Sequence, residues 1–352
     1  MMDPRLLRMI DANANRAREA LRVMEDYARF ALNDQPVAAR LKALRHGLAT
    51  ALSRVAGDAL LARDTPHDVG TANKTPTELA RQSLGDVVVA AGKRLSEALR
   101  VVEEAAKTLD PQAAADVERL RYAGYTLEQT LTRVARQAGR FGAVRLYVLL
   151  TAALCKAPWE QTLDAVLAGG ADCVQLREKN LPDSELLTRA RHVVARCRAH
   201  GALALINDRP DIAQLSGADG VHVGQADLPC AEVRKLLGHE PIVGVSTERL
   251  DQAQQAVRDG ATYVGVGPMS PTTTKHKPQL AGPAYAREAV AALSICCVAI
   301  GGISAANLGA LCAVGVRAVA VCSSILQADD PAAACRTLLA LLPPRPPPAT
   351  AL

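Results

Sequence analysis

Aromatic side chains are scarce in this chain. Two Phe, six Tyr and one Trp among 352 residues leave few rings for stacking on bases. The net charge of +5 is modest, and the two together argue against a nucleic-acid partner. No apolar run approaches the length of a membrane span. Asp3, Arg5 and Arg8 interrupt the N-terminus where a signal peptide would need an apolar core. The nine cysteines form no CxxC pair and no metal-like Cys/His spacing. Those in apolar runs (Cys173, Cys296, Cys297, Cys322) read as small core residues in a reducing compartment. No GxxxxGK[ST] or GxGxxG motif is present. The expectation is a cytoplasmic protein without membrane or nucleic-acid partners, acting on small anionic molecules.

What is present divides in two. The length suffices for two domains, each with its own core. Up to Arg140 there are 22 Lys and Arg against 18 Asp and Glu, so most of the positive excess lies in the first part. That part, 1–138, has helical periodicity and little strand signal. Asn15–Asp26 repeats as Lys93–Glu104 at an offset of 78, with Arg16, Glu19, Arg22, Glu25 matched by Arg94, Glu97, Arg100, Glu103. On a helix this spacing draws one charged stripe beside an apolar face that carries Leu21 and Met24, or Leu99 and Val102. Leu41–His46 is echoed by Val117–Tyr122. The pattern predicts two helical hairpins related by duplication and packed as a bundle. Residues 63–75 form a donor-rich loop between them, with the next helix opening at Thr77 and Glu78. Such stripes are ordinarily solvated ion pairs worth a few tenths of a kcal/mol each. Facing each other across a bundle, they would line a polar cleft.

After a glycine-bearing linker at 137–143 the pattern changes. Strand-like runs begin near Arg145, Cys173, Ala202, Gly220, Pro241, Tyr263, Cys296 and Ala318. Helical stretches at 159–168, 184–199, 250–258, 284–293, 305–313 and 331–342 separate them. Eight strand-then-helix units over 139–342 predict an α/β fold, a (β/α)8 TIM barrel behind an all-α helical bundle. A doubly wound sheet is the alternative, which the even spacing disfavours. The proline-rich end, 343–352, reads as a disordered tail.

In such a barrel the chemistry sits where strands end. Alternation puts Gln175, Arg177 and Lys179 on one face, a clamp for phosphorylated substrate, with Val174 and Leu176 on the other. Asn207 and Asp208 end the third strand, and Asp227 follows the fourth. Two carboxylates at successive strand ends suit Mg2+. Gly301 and Gly302, with the Cys322–Ser323 backbone, fall where barrels hold phosphate. Two anion sites and a metal imply two phosphorylated substrates, one of them a diphosphate. Each signal has an ordinary reading: Asn207–Asp208 a turn, Asp227 a cap, the glycines tight packing, Thr272–Thr274 a solvated loop, His222 a packed interior residue. Seven strand ends with such signals, the fifth at Ser246–Thr247, together outweigh those readings.

Two resemblances sharpen this. DANANRAREALRVMEDYARF, RDTPHDVGT and KRLSEALRVVEE resemble the helical domain found fused ahead of bacterial thiamine phosphate synthases, a family credited with hydroxymethylpyrimidine phosphate kinase activity. QLREK, INDR, GVHVGQADLP, GVST, the PTTTK loop, VAIGGI and VCSSI resemble thiamine phosphate synthase over residues 144–340. The resemblance implies that Gln175, Arg177, Lys179, Asn207, Ser246 and Lys275 hold a pyrimidine diphosphate. It implies Mg2+ on Asp208 and Asp227, and a thiazole phosphate on Thr272, Thr274, Gly302, Cys322 and Ser323. Diphosphate would leave first, the aminopyrimidine ring stabilising the methylene cation that the thiazole nitrogen then attacks, so no protein nucleophile is expected. The helical domain would use ATP to phosphorylate hydroxymethylpyrimidine phosphate, or serve as a docking or homo-oligomerisation module. A thiazole tautomerase is the rival for the barrel, and it would need neither both aspartates nor the full clamp. Three positions depart from the family: Glu248 where His is usual, Ser270 for an aromatic, and His276-Lys277-Pro278 after Lys275. The 270–281 loop, punctuated by Pro271 and Pro278, is expected to close over bound diphosphate.

Overall fold

The fold is that of a computed structural model, which describes residues 3–55, 63, 81, 83–271 and 280–344. The chain forms two compact units, Met1–Arg136 and Gln137–Leu352.

The first unit is helical. It contains α1 (Pro4–Asp26), which continues into a π-helical turn at Tyr27–Ala31, then α2 (Gln35–Leu52) and α3 (Leu84–Ala106). α4 spans Pro111–Gly142, and the division between units falls inside it. Small and aliphatic side chains spaced three and four apart make each inner face, and Ile10, Leu21, Met24, Leu41, Leu48, Leu95, Leu99, Leu127 and Leu131 are fully buried. α1 packs chiefly on α3, one copy of the repeat against the other. The duplication extends to the caps. Val37 N–H donates to Asp34 ahead of α2 at 3.0 Å, and Ala113 N–H donates to Asp110 ahead of α4 at 3.2 Å.

The charged stripes are split between solvent and core. Arg16, Arg22, Arg94 and Arg100 face outward, whereas Glu25 and Glu103 are buried. The second helix of each hairpin supplies their partner. Arg45 Nε donates to Glu25 at 3.3 Å and Arg121 Nε to Glu103 at 2.6 Å. A purely solvated stripe does not describe this. Arg63 closes on buried Asp11 through two hydrogen bonds of 2.7 and 2.9 Å. The rest of the 64–75 loop, Lys74 included, and the expected helix start at Thr77–Glu78 lie outside the described residues. The next described helix, α3, opens on a Ser83/Asp86 capping box.

The second unit is a closed barrel of eight parallel strands in sequential order. The strands are β1 (Leu146–Leu150), β2 (Cys173–Leu176), β3 (Leu203–Asn207), β4 (Gly220–Val223), β5 (Ile242–Thr247), β6 (Tyr263–Val266), β7 (Cys296–Ile300) and β8 (Ala318–Val321). β1 closes on β8 with Leu146 opposite Val319. Between strands run α5 (Trp159–Ala168), α6 (Asp183–Ala199), α7 (Pro210–Ser216), α8 (Cys230–Leu237), α9 (Leu250–Arg258), α10 (Gly282–Ala292) and α11 (Ala305–Ala313). A short α12 (Ser323–Leu326) and α13 (Pro331–Leu341) follow β8. Outward-facing residues such as Val148, Val174, Val221 and Val264 pack under the helices, and a second cluster fills the interior.

The expected linker at 137–143 is helical instead. Glycine is tolerated because Gly139 and Gly142 face open space. What holds the segment is Phe141, wholly buried in the barrel interior and stacked on Tyr263 at 3.9 Å. Arg140 also pairs with Asp219 at 2.9 Å. The closed order excludes the doubly wound sheet. Of the proline-rich end, 345–352 lies outside the described residues.

Candidate active site

A cavity of about 290 Å3 opens at the carboxyl ends of the strands. Parallel strands all end on this side, and each strand's inward phase projects a side chain into it. Gln175, Arg177, Lys179, Asn207, Asp208, Asp227, Ser246, Gly302, Cys322 and Ser323 all line it. Thr272, Thr274 and Lys275 lie outside the described residues, as do Thr273 and His276–Pro278, so the expected closing loop is not part of this geometry.

One wall is ionic. Lys179 Nζ lies 3.7 Å from Asp208 Oδ2. Asp208 has φ of +62°, a left-handed conformation that Asp and Asn adopt more readily than most residues, and this turn aims its carboxylate at the mouth. Burial pushes the Asp208 carboxyl above its ordinary range. Its hydrogen bond with Asp227 and that residue's charge act the same way, while Lys179 and Asn207 oppose them. Two carboxylates this close repel unless a proton or a cation stands between them, and hard oxygen donors beside an open cavity fit Mg2+. Gly224 N–H donates to Asp227 Oδ2 at 2.8 Å, which fixes that carboxylate over β4. Among the described residues no group of three or more His, Cys, Asp and Glu is arranged to hold a metal ion, so only two protein carboxylates are offered.

The facing wall is backbone. Gly301 and Gly302 have φ of +96° and +63°. A Cβ on Gly302 would stand 2.5 Å from the carbonyl oxygen of Pro271. Only glycine passes there, and its amide is left close to the cavity. Ser323 opens α12 directly after β8, and Ser324 Oγ donates to the Ile303 carbonyl at 2.9 Å, tying the two phosphate-type loops together.

Other residues of the motifs have structural work. Glu178 accepts from Ala152 N–H at 2.8 Å and from Arg189 at 2.9 Å, away from the cavity. Arg209 pairs with Asp183 and Asp211. Of the unusual positions, Glu248 lines the cavity, and Ser270 Oγ accepts from Asn307 at 3.3 Å.

The floor was not legible as a site. Tyr147, His222 and Tyr263 line the cavity from below and are buried. Tyr147 OH lies 3.0 Å from Tyr263 OH, and His222 Nδ1 lies 2.8 Å from the latter. His222 Nε2 lies 2.8 Å from Ser246 Oγ, while Gln175 Nε2 donates to Tyr147. His222 is thus the packed interior residue expected, though it is hydrogen-bonded at both nitrogens. The available signal was phase: Tyr147 and Tyr263 share the inward alternation of Gln175 and carry polar tips in apolar strands.

Comparison with known proteins decides the family. Residues 146–325 match the family model described as thiamine monophosphate synthase, and residues 8–130 match the ThiD2 family. The chain is 40% identical over 351 residues to the thiamine-phosphate synthase of Prochlorococcus marinus strain MIT 9313, covering 97% of each. It is 43% identical to that of Gloeobacter violaceus, covering 93% of this chain and 94% of the relative. The chain belongs to the thiamine phosphate synthase family. Its barrel superposes on thiamine phosphate pyrophosphorylase from Pyrococcus furiosus with a TM-score of 0.53 and 31% identity, over 57% of this chain and 96% of that one. As a thiamine phosphate synthase with a helical ThiD2 unit, the chain is a transferase of thiamine biosynthesis. No helix among the described residues is long and apolar enough to cross a membrane.

Proposed function

We propose that the barrel couples hydroxymethylpyrimidine diphosphate to thiazole phosphate, releasing pyrophosphate, and that the cavity described above is where it does so. The observation that carries this is the convergence of ten separately coded strand-end residues on one cavity with an ionic wall and a backbone wall. On this reading Arg177 and Lys179 hold the diphosphate, and Asn207, Gln175 and Ser246 fix the pyrimidine's orientation. Asp208 and Asp227 would hold Mg2+, which supplies charge neutralisation on the leaving diphosphate. Gly302 and the Cys322–Ser323 backbone receive the thiazole phosphate, with Thr272 and Thr274 from the loop; Lys275 joins the diphosphate clamp. Bond cleavage places positive charge on the pyrimidine methylene and negative charge on the diphosphate. The cationic wall stabilises the latter, and the thiazole nitrogen supplies the electron pair for the new bond. No side-chain nucleophile is required. Keeping both aspartates with the whole clamp favours this over a tautomerase.

The helical unit, on the same proposal, uses ATP to make the pyrimidine diphosphate from the monophosphate. Its membership of the ThiD2 family supports this. Arg22 and Arg100 are half exposed, and among the described residues their ion pairs are with acids of their own helices, which leaves these guanidinium groups as candidates to meet a phosphate.

The purified full-length protein, given both substrates and Mg2+, should release stoichiometric thiamine phosphate and pyrophosphate. With ATP and the pyrimidine monophosphate in place of the diphosphate it should still do so. Arg22→Ala with Arg100→Ala should abolish the second reaction and spare the first. No product from supplied diphosphate would refute the synthase reading. Product from diphosphate but never from monophosphate and ATP would make the helical unit a docking or oligomerisation module.

A further inference from the structure

Asn307, the third residue of α11, commits its whole side-chain amide to the loop that carries the backbone wall. Its Oδ1 accepts from Ser304 N–H at 2.9 Å, and its Nδ2 donates to the Gly302 carbonyl at 2.7 Å and to Ser270 Oγ at 3.3 Å. An amide nitrogen donates and does not accept, so these partners fix which way round the group sits. The next carbonyl along, that of Ile303, accepts from Ser324 Oγ at 2.9 Å. The two peptides after Gly302 are therefore held at the Gly302 oxygen, the Ile303 oxygen and the Ser304 nitrogen. In a trans peptide the carbonyl and the N–H point opposite ways. With the Gly302 oxygen drawn to Asn307, the Ile303 N–H is turned to the other side. Gly302 and Ile303 both line the cavity. Among the described residues no hydrogen bond takes up the N–H of either, so each needs a partner from solvent or ligand.

We infer that Asn307 is a positioning residue for the phosphate of the second substrate: it holds the Gly302–Ile303 peptide with its N–H toward the cavity and its carbonyl away. The inference rests on the synthase reading above, which puts the thiazole phosphate on this wall, and deepens it. A brace is needed because Gly301 and Gly302, at φ of +96° and +63°, have no side chains to resist a turn of the backbone. A turned peptide would present the Gly302 carbonyl oxygen to the cavity, where it repels phosphate oxygens instead of donating to them.

Capping α11 does not by itself call for asparagine. Only Oδ1 serves the cap, and the equivalent place in the capping box of α3 is filled by Asp86, whose Oδ2 accepts from Ser83 N–H at 3.0 Å. Holding the Gly302 carbonyl takes a donor, which aspartate lacks when ionised.

The test measures KM for each substrate, kcat and melting temperature in the full-length protein and in Asn307→Asp and Asn307→Ala. Asn307→Asp keeps the capping acceptor without the amide protons, and Asn307→Ala lacks both. Each variant should raise KM for thiazole phosphate about tenfold or more and leave KM for the pyrimidine diphosphate within about twofold of wild type. Asn307→Asp should melt close to wild type and Asn307→Ala lower. The KM ratio of Asn307→Asp to wild type should persist at high ionic strength, where repulsion between a new carboxylate and phosphate is screened. An unmoved KM for thiazole phosphate in either folded variant, a rise in Asn307→Asp that salt abolishes, or an equal rise for both substrates overturns the inference. If Asn307→Ala does not fold, Asn307→Asp with its salt series carries the test, and loss of fold in both makes Asn307 a structural residue and overturns the inference too. If wild type makes no thiamine phosphate, the synthase reading falls, and calorimetric titration with thiazole phosphate decides instead. Weaker binding to Asn307→Asp than to wild type then sustains the brace, and equal binding or none overturns it.

Discussion

Asp208→Asn and Asp227→Asn separate charge from geometry unusually well in this site. Asn is at least as tolerant of the left-handed conformation as Asp, so the backbone at φ +62° has no reason to move in the first variant. In the second, the Asn carbonyl oxygen still accepts from Gly224 N–H, and the 2.8 Å clasp survives. Each variant therefore removes one unit of negative charge from a pair that would hold Mg2+ against the diphosphate, and Asp208→Asn also gives up the charge that faces Lys179 at 3.7 Å. A hard-cation site with only two protein carboxylates loses half its charge. Metal stabilisation of a leaving oxyanion is worth several kcal/mol, and forfeiting even about 3 kcal/mol of it slows turnover roughly a hundredfold. The assay is pyrophosphate release at saturating substrates across a Mg2+ titration, with melting temperature as the control. Both variants should melt within about a degree of wild type, lose about a hundredfold or more in kcat at limiting Mg2+ and recover in part at high Mg2+. Turnover within about twofold of wild type in both, or undiminished wild-type turnover in excess chelator, refutes the assignment.

Gly302→Ala places a Cβ against the Pro271 carbonyl in a left-handed backbone that costs alanine about 1–2 kcal/mol. It should raise KM for thiazole phosphate roughly tenfold while leaving KM for the pyrimidine diphosphate unchanged. A rise confined to the diphosphate would place the two substrates the other way round. Phe141→Ala removes a wholly buried ring stacked on Tyr263 and should destabilise the barrel by about 3–5 kcal/mol, read by denaturant titration. Glu103→Gln takes from Arg121, itself buried, its nearest counter-ion and leaves it only the more distant, half-exposed Glu118 at 3.9 Å among the described residues, which should cost at least about 2 kcal/mol. Glu25→Gln should cost less, because Arg45 is 27% exposed and can turn to water. Equal losses would mean that the two halves of the repeat are energetically equivalent.

The barrel was legible because its strands are buried on both faces and run as short apolar bursts between amphipathic helices. Strands read as starting at Arg145, Ala202 and Pro241 begin one residue later, at Leu146, Leu203 and Ile242. The helices given no bounds from the sequence, α7, α8 and α12, have seven, eight and four residues, too few turns for a periodicity to fix their ends. The ionic wall was legible because polar and charged signals recur at successive strand ends, although each alone has an ordinary reading. The floor was not, because two tyrosines and a histidine within apolar strands look like any packed interior until their hydroxyls are seen to touch. In the helical unit the period of the stripe was right, but which carboxylates turn inward depends on Arg45 and Arg121 arriving from other helices, which no local pattern encodes. The segment 137–143 misled because glycine usually punctuates. Here Gly139 and Gly142 merely face outward while Phe141 decides the fold of the segment.

The barrel interior is built to give Tyr263 room, and Gly244 is where that room comes from. β5 and β6 are neighbours with Gly244 opposite Tyr263 in register, and an alanine methyl there would lie 2.1 Å from the ring and 2.4 Å from its hydroxyl. The ring cannot yield toward Phe141, which already stacks on it. Gly244→Ala must therefore displace the hydroxyl that joins Tyr147 to His222, without adding or removing any group that faces the cavity. Overpacking of this kind costs about 1–3 kcal/mol, so the protein should stay folded with a melting temperature lowered by a few degrees. Its kcat/KM for coupling should fall by about tenfold or more, with KM for thiazole phosphate unmoved, since that substrate's proposed wall stands on β7 and β8. A variant with wild-type kinetics and a lowered melting temperature would show that the position of Tyr263 matters to packing alone.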